Sequence, residues 1–183
     1  MAEPGDIPMR DPLAFLLTWT TYGTWLPGDR RGWVDKPGKF REPDLRFTES
    51  NRARMTETAL ILNDTQRQIV ETTILAHCNI RNCTLHAINC RTNHVHVVVT
   101  APQRAPDDVM NEFKSWCTRK LKQQSQEQTQ RPRKPEAPAK GPTDSQPTAP
   151  RIRQKWWTQR GSKRLLFDES GLEAAVKYTL DAQ

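Results

Sequence analysis

Two features of the sequence could do chemistry together: the triplet His94-Val95-His96 and the lone downstream phenol Tyr178. On a strand, residues i and i+2 point to the same face. Both imidazoles would then project together, with their backbones roughly 6.6–7 Å apart. A divalent ion held ~2.1 Å from one nitrogen of each fits between them. Val95, Val97 and Val99 would point the other way, into a core. The same pattern also suits two half-exposed histidines with no ion. Tyr178 and Tyr22 are the only tyrosines. Tyr178 falls in a C-terminal helical segment whose apolar stripe reads Leu172, Val176, Leu180. At about 100° per residue the phenol lies about 160° from Val176. It is therefore either exposed or placed in a site, with Ala174 and Ala175 leaving room beside it. Tyr22 precedes a glycine at a strand end and reads as structural.

A phenolate can attack a phosphodiester and hold it covalently, which splits one hard displacement into two easier ones. A free phenol titrates near ~10, so such a nucleophile needs positive charge or a base nearby. A divalent ion would polarise the scissile phosphate. Two imidazoles do not hold such an ion firmly, so a third ligand is required.

The elements that would position these groups are legible. Pro12 precedes the aromatic and β-branched run Leu13–Thr21, which predicts a central strand. Tyr22-Gly23-Thr24-Trp25-Leu26-Pro27-Gly28-Asp29 ends it with turn chemistry. Residues 30–54 read as polar and irregular, anchored by Trp33, Phe40 and Phe47. Asn63 or Asp64 caps a predicted helix to about Cys78, with Ile69, Val70, Thr73, Ile74 and His77 at helical spacing. Cys83–Cys90 and His94–Ala101 read as a hairpin around Arg91-Thr92-Asn93. A second helix is predicted over Val109–Lys122, capped by Asp107 or Asp108. Its buried stripe would be Val109, Phe113, Trp116, Cys117 and Leu121. Residues 155–158 and 165–167 are short strand or loop segments. Ser170-x-x-Glu173 reads as a capping box opening a last helix, Leu172–Ala182. The order is an α+β, ferredoxin-like split β-α-β with a mainly antiparallel sheet. Helices are expected on one face, and an additional C-terminal helix carries Tyr178.

Composition sets the limits. The chain has 183 residues, 35% hydrophobic and 27% charged, with 14 Pro and 8 Gly. That suits one domain, 12–183, behind a flexible tail at 1–11. The stretch 123–150 is rich in Gln, Pro, Ser, Thr and Lys, and is expected to be a disordered insertion because it has little to bury. The net charge of +7 is concentrated: residues 114–164 hold 14 Lys/Arg against Glu127, Glu136 and Asp144, a local +11, leaving −4 elsewhere. Such a block suits a polyanion or a solvated linker. No apolar run approaches the ~20 residues of a membrane span, and with Asp6 and Asp11 ahead of the short apolar run Leu13–Leu17 export is not expected. A cytoplasmic location and no membrane partner are expected. Cys78, Cys83, Cys90 and Cys117 have no C-x-x-C spacing and read as buried small hydrophobes. A zinc site with His77 or His86 is the minor alternative.

Asn93-His94-Val95-His96-Val97-Val98-Val99 resembles the His-hydrophobe-His (HUH) strand of single-tyrosine transposases. Lys155-Trp156-Trp157-Thr158-Gln159-Arg160-Gly161 resembles their tryptophan segment, and Val176–Gln183 their nucleophile helix. Thr18–Asp29 is similar to a stretch in REP-associated tyrosine transposase-like relatives. The resemblance implies a nuclease that cuts and rejoins single-stranded or hairpin DNA in transposition. Tyr178 would be the nucleophile, taking the 5′ phosphate. His94 and His96 would bind Mg²⁺ or Mn²⁺, of which Mn²⁺ suits imidazole better. The family's third ligand is a Gln four residues after the Tyr. Here that position is Ala182 and the Gln is one later, Gln183, with Asp181 as the substitute. Lys114, Arg119, Lys120, Lys122, Arg160, Lys163 and Arg164 would guide the DNA backbone. Trp156 or Trp157 would pack in the core or stack a base. A homodimer is compatible with this reading. The displaced Gln also suits a non-catalytic DNA-binding relative, and the same chemistry serves replication initiators.

Overall fold

The computed structural model describes residues 11–35, 38–130 and 152–181, without the side chains of residues 129 and 130. All but the last residue of the expected tail at 1–11, most of the insertion (131–150), Ala182 at the expected end of the last helix and Gln183 lie outside the described residues.

The chain forms β1 (Ala14–Thr20), β2 (Trp33–Val34), β3 (Phe40–Arg41), α1 (Leu45–Ala53), α2 (Asp64–Ile80), β4 (Thr84–Cys90), β5 (His94–Thr100), α3 (Pro106–Gln130), β6 (Ser162–Leu166) and α4 (Glu169–Asp181). The main sheet has the order β4-β5-β1-β6, with every neighbouring pair antiparallel. With the short β2–β3 hairpin set aside, this is the ferredoxin-like arrangement with α2 and α3 as its two crossovers.

Alternation along β5 separates two layers. Val95, Val97 and Val99 are fully buried with Phe15, Leu17 and Trp19 of β1, beneath Val70 and Ile74 of α2 and Val109, Phe113 and Cys117 of α3. Each such side chain contributes about 1.5–3 kcal/mol of burial. Helix α2 begins with a complete capping box: Asn63 accepts from the Gln66 amide, and Gln66 accepts from the Asn63 amide. Helix α3 starts at Pro106, whose missing N–H costs nothing at a first helical position. Asp107 and Asp108 sit in its first turn, where the helix dipole favours them. All four cysteines are buried and unpaired.

Five expectations are corrected. The helices do not share one face. The small side chains Ala14, Ala87, Val98 and Ala175 bring α4 onto the opposite side of the sheet, with Leu16, Leu172 and Val176 around them. On α4 the most deeply buried residues are Ala175 and Thr179, while Leu180 is exposed, so the packed face is turned from the Leu172/Val176/Leu180 stripe. The cap of α4 is the Asp168 carboxylate, which accepts from Ser170 Oγ and the Gly171 amide, and Ser170 lies inside the helix. Residues 30–54, expected to be irregular, form the β2–β3 hairpin and α1, which Asp44 caps through the Phe47 amide. Finally, α3 continues through Gln130, so the first eight residues of the expected disordered stretch are helical. Gln123 donating to Glu127 at i+4 is one local support for that extension.

Candidate active site on the open face of the sheet

The face opposite α2 and α3 carries the pair His94 and His96. Antiparallel register places Thr18 of β1 beside His96 and Thr20 beside His94. On the other flank Asn89 of β4 lies beside His96. The two imidazole rings are 4.8 Å apart between centroids, at 79° to each other.

Each histidine has an oxygen partner at Nδ1. His94 Nδ1 lies 2.7 Å from Asn93 Oδ1, an acceptor only, so this nitrogen carries the proton. His96 Nδ1 lies 2.8 Å from Thr18 Oγ1. With His96 Nδ1 donating to that hydroxyl, Nε2 of both rings holds a free lone pair. Oxygen partners of this kind orient metal-binding imidazoles. Burial pushes the His96 pKa down to about 4, and the nearby charges of His94 and Arg91 act in the same direction. His94 is lowered by burial first, then by Arg91 and Arg31. Both rings are therefore neutral, the form a metal needs.

Tyr178 meets this pair. Asn89 Nδ2 donates to the Thr179 carbonyl at 2.8 Å, pinning the last turns of α4 to β4. The close Ala87–Val98–Ala175 packing lowers the helix onto the sheet. The Tyr178 ring then stands 5.4 Å from the His96 ring, at 79°. It remains 55% exposed, so its hydroxyl is open to an incoming ligand.

A third ligand is not brought to the pair. Among the described residues no group of three His, Cys, Asp or Glu could hold an ion. Asp181 is exposed and lies about 200° around α4 from the buried Thr179, so it turns away from the sheet. Gln183 is outside the described residues. His94 and His96 therefore suit a divalent ion as two imidazole donors, with the remaining positions left to oxygen ligands.

The expected DNA-contacting residues divide. Arg119, Lys120, Arg160, Lys163 and Arg164 are exposed. Lys163 pairs with Asp107 at 2.5 Å, Lys122 donates to Gln154, and Arg119 lies over the Trp116 ring. Lys114 is buried and donates to the carbonyls of Thr158 and Arg160, so it braces that loop from inside. Trp156 is buried in the core. Trp157 is half-buried, meets Trp19 edge-on at 6.3 Å, and donates to Lys114 O and Thr118 Oγ1. Both are packing residues. Tyr22 accepts from the Thr56 amide, a structural role. Sequence reasoning missed Thr18, Asn93, Arg31 and Arg91. Thr18 left a signal as a hydroxyl interrupting the apolar run of β1, and Asn93 opens the quoted histidine strand without a role of its own.

Residues 54–137 match the model of a family described as "Transposase IS200 like". The match includes both histidines and α2, and it ends before Tyr178. No curated protein matches the sequence. One solved structure, described as "Structure of the REP associates tyrosine transposase bound to a REP hairpin", is 13% identical with a TM-score of 0.48, over 98% of this chain and 70% of that one. Among the described residues no helix is long and apolar enough to cross a membrane.

Proposed function

We propose that this chain, an IS200-like transposase over residues 54–137, cuts single-stranded DNA with Tyr178 and rejoins it through a covalent 5′-phosphotyrosine. The observation that carries this reading is the run of three rings, His94, His96 and Tyr178, with centroids 4.8 and 5.4 Å apart on one face of the sheet.

Tyr178 Oη attacks the phosphorus of the scissile diester. The Oη–P bond forms and the P–O3′ bond breaks. The phenol gives up its proton to the solvent it faces, and the departing 3′ oxygen takes one up. The 5′ phosphate stays on Tyr178 until a 3′ hydroxyl attacks it in the reverse sense, which joins the strands. His94 and His96 would hold Mn²⁺ or Mg²⁺ through Nε2, and the ion would supply charge to the non-bridging phosphate oxygens. Thr18 and Asn93 fix the two rings, while Arg31 and Arg91 add positive charge beside His94. The concentrated basic surface supplies phosphate contacts for single-stranded or hairpin DNA.

Incubation with labelled single-stranded hairpin DNA and Mn²⁺ tests this. A protein–DNA adduct that resists denaturation, and that is lost in Tyr178→Phe, is expected. Retarded DNA with no adduct would instead favour a binding module without catalysis, to which the two-imidazole donor set also lends itself.

A further inference from the structure

Trp25 is an exposed aromatic that the fold holds still. Its indole N–H donates to the Gly32 carbonyl at 2.9 Å. The Arg31 guanidinium lies over its ring, 4.7 Å from the centroid. Arg31 is itself fixed, through Nε and Nη2 to the Asp29 carboxylate and through Nη2 to the Thr24 carbonyl. Gly28 and Gly32, at φ +90° and +80°, supply the left-handed turns that fold this loop back on itself. The ring nevertheless stays 43% exposed. This anchoring holds the exposed part of the ring in place. It suits a flat ligand that stacks on a surface already in place.

The ring lines a cleft of about 750 Å³. Trp25, Leu26 and Trp33 form one wall, and the Thr158–Lys163 segment forms the other. The first wall is flat and apolar. The second offers amide, guanidinium and hydroxyl groups from Gln159, Arg160 and Ser162. One apolar wall facing a polar one, with Arg160 among its lining residues, suits a base attached to a phosphate. One lining residue also touches the candidate active site: the Thr18 hydroxyl is 2.8 Å from His96 Nδ1, although neither histidine nor Tyr178 lines the cleft.

We propose that this cleft is a nucleobase subsite, in which an unpaired base of a nucleotide neighbouring the scissile phosphate stacks on Trp25 and is read by polar groups of the Thr158–Ser162 segment. It rests on the single-strand cleavage reading and adds where that strand gains its sequence preference. Gly161 explains how the two walls approach the site together. A Cβ there would stand 2.5 Å from the Thr18 carbonyl oxygen, so the 158–163 segment lies directly on β1.

The test uses the full chain as Tyr178→Phe, so that bound DNA is not turned over. It is mixed with random-sequence single-stranded 12-mers carrying 5-iododeoxyuridine in place of thymidine, irradiated, digested and mapped by mass spectrometry. Cross-links on Trp25 or Trp33 are expected. Trp25→Ala should weaken binding on the order of tenfold or more, as loss of one stacking platform does. It should also flatten the base preference among the 12-mers it retains. Binding with cross-links only elsewhere, or an unchanged preference in Trp25→Ala, overturns the subsite. If the wild-type protein forms the Tyr178 adduct in those same experiments, the cleavage reading survives that failure. If the wild type binds no single strand at all, both fall. Cross-linking with the Trp25-containing chain keeps the result decisive even if Trp25→Ala does not fold.

Discussion

The phenol of Tyr178 on α4 stands edge-on to the imidazole of His96 on β5, 5.4 Å away, although 82 residues of chain separate them. The contact depends on α4 crossing the face that α2 and α3 leave open. Two short-range features set it: the Ala175 contact with Ala87 and Val98, and the Asn89 bond to the Thr179 carbonyl. The phenol thus meets His96, and His96 meets His94, on one face of the sheet.

Tyr178→Phe should abolish the covalent DNA adduct and leave folding almost untouched. The ring and its contact with His96 remain, and the lost hydroxyl belongs to a side chain that is 55% exposed. Surface changes of this kind fall within about 0.5 kcal/mol. Denaturant melts should therefore overlay those of the wild type. Adduct formation by the variant would assign the nucleophile elsewhere.

The orienting role of Thr18 can be separated from packing. Thr18→Val keeps shape and removes the hydroxyl that meets His96 Nδ1. Loss of such a partner lowers metal affinity by about 10–100-fold. Mn²⁺ titration followed by electron paramagnetic resonance should show that drop. His94→Ala should abolish cleavage while leaving DNA binding largely intact, because phosphate contacts dominate affinity. Unchanged Mn²⁺ affinity in Thr18→Val would mean that His96 needs no such support.

Strands β1, β4 and β5 and the histidine pair were legible because alternation and capping are local signals. Val95, Val97 and Val99 could only point into a core if His94 and His96 pointed out of it, and of the two expected caps of α2, Asn63 or Asp64, Asn63 is the one used. The placement of α4 was not legible. Its docked face is made of Ala175 and Thr179, which carry little hydrophobic signal, whereas Leu172, Val176 and Leu180 carry a strong one. Leu180 is exposed all the same, so a stripe chosen by hydrophobicity was rotated from the face that packs. The extension of α3 through Gln130 was missed for a related reason: a polar helix has no apolar period to read. Trp25 was visible only as part of a turn, since nothing local says that Gly32 and Arg31 fold back to hold it.

Lys114 offers a pH test. Burial lowers its pKa to about 8, although the Thr158 and Arg160 carbonyls accept from it. In the unfolded chain a lysine titrates near ~10.4. Between about 8 and ~10.4 the unfolded state therefore binds more protons, so the Lys114 contribution to stability rises with pH. Urea melts across that window should show a steeper gain for the wild type than for Lys114→Met. The variant should be less stable at pH 7, because two carbonyls lose their donor. Parallel pH profiles for the two proteins would show that Lys114 stays charged throughout.

Gly161→Ala tests whether the 158–163 segment must lie against β1. The added methyl would meet the Thr18 carbonyl oxygen at 2.5 Å and Met110 Sδ at 2.6 Å. The thioether can swing aside, but the carbonyl belongs to β1, next to the Thr18–Ser162 pair that opens β6. The segment must then lift, at a cost of about 1–3 kcal/mol. Lifting it should also disturb Thr18 and, through it, the His96 ring. Gly161→Ala should therefore lose both melting temperature and Mn²⁺ affinity, whereas a purely structural defect would lower the first alone. Full stability and full affinity in the variant would mean that the loop approaches β1 less closely than its geometry indicates.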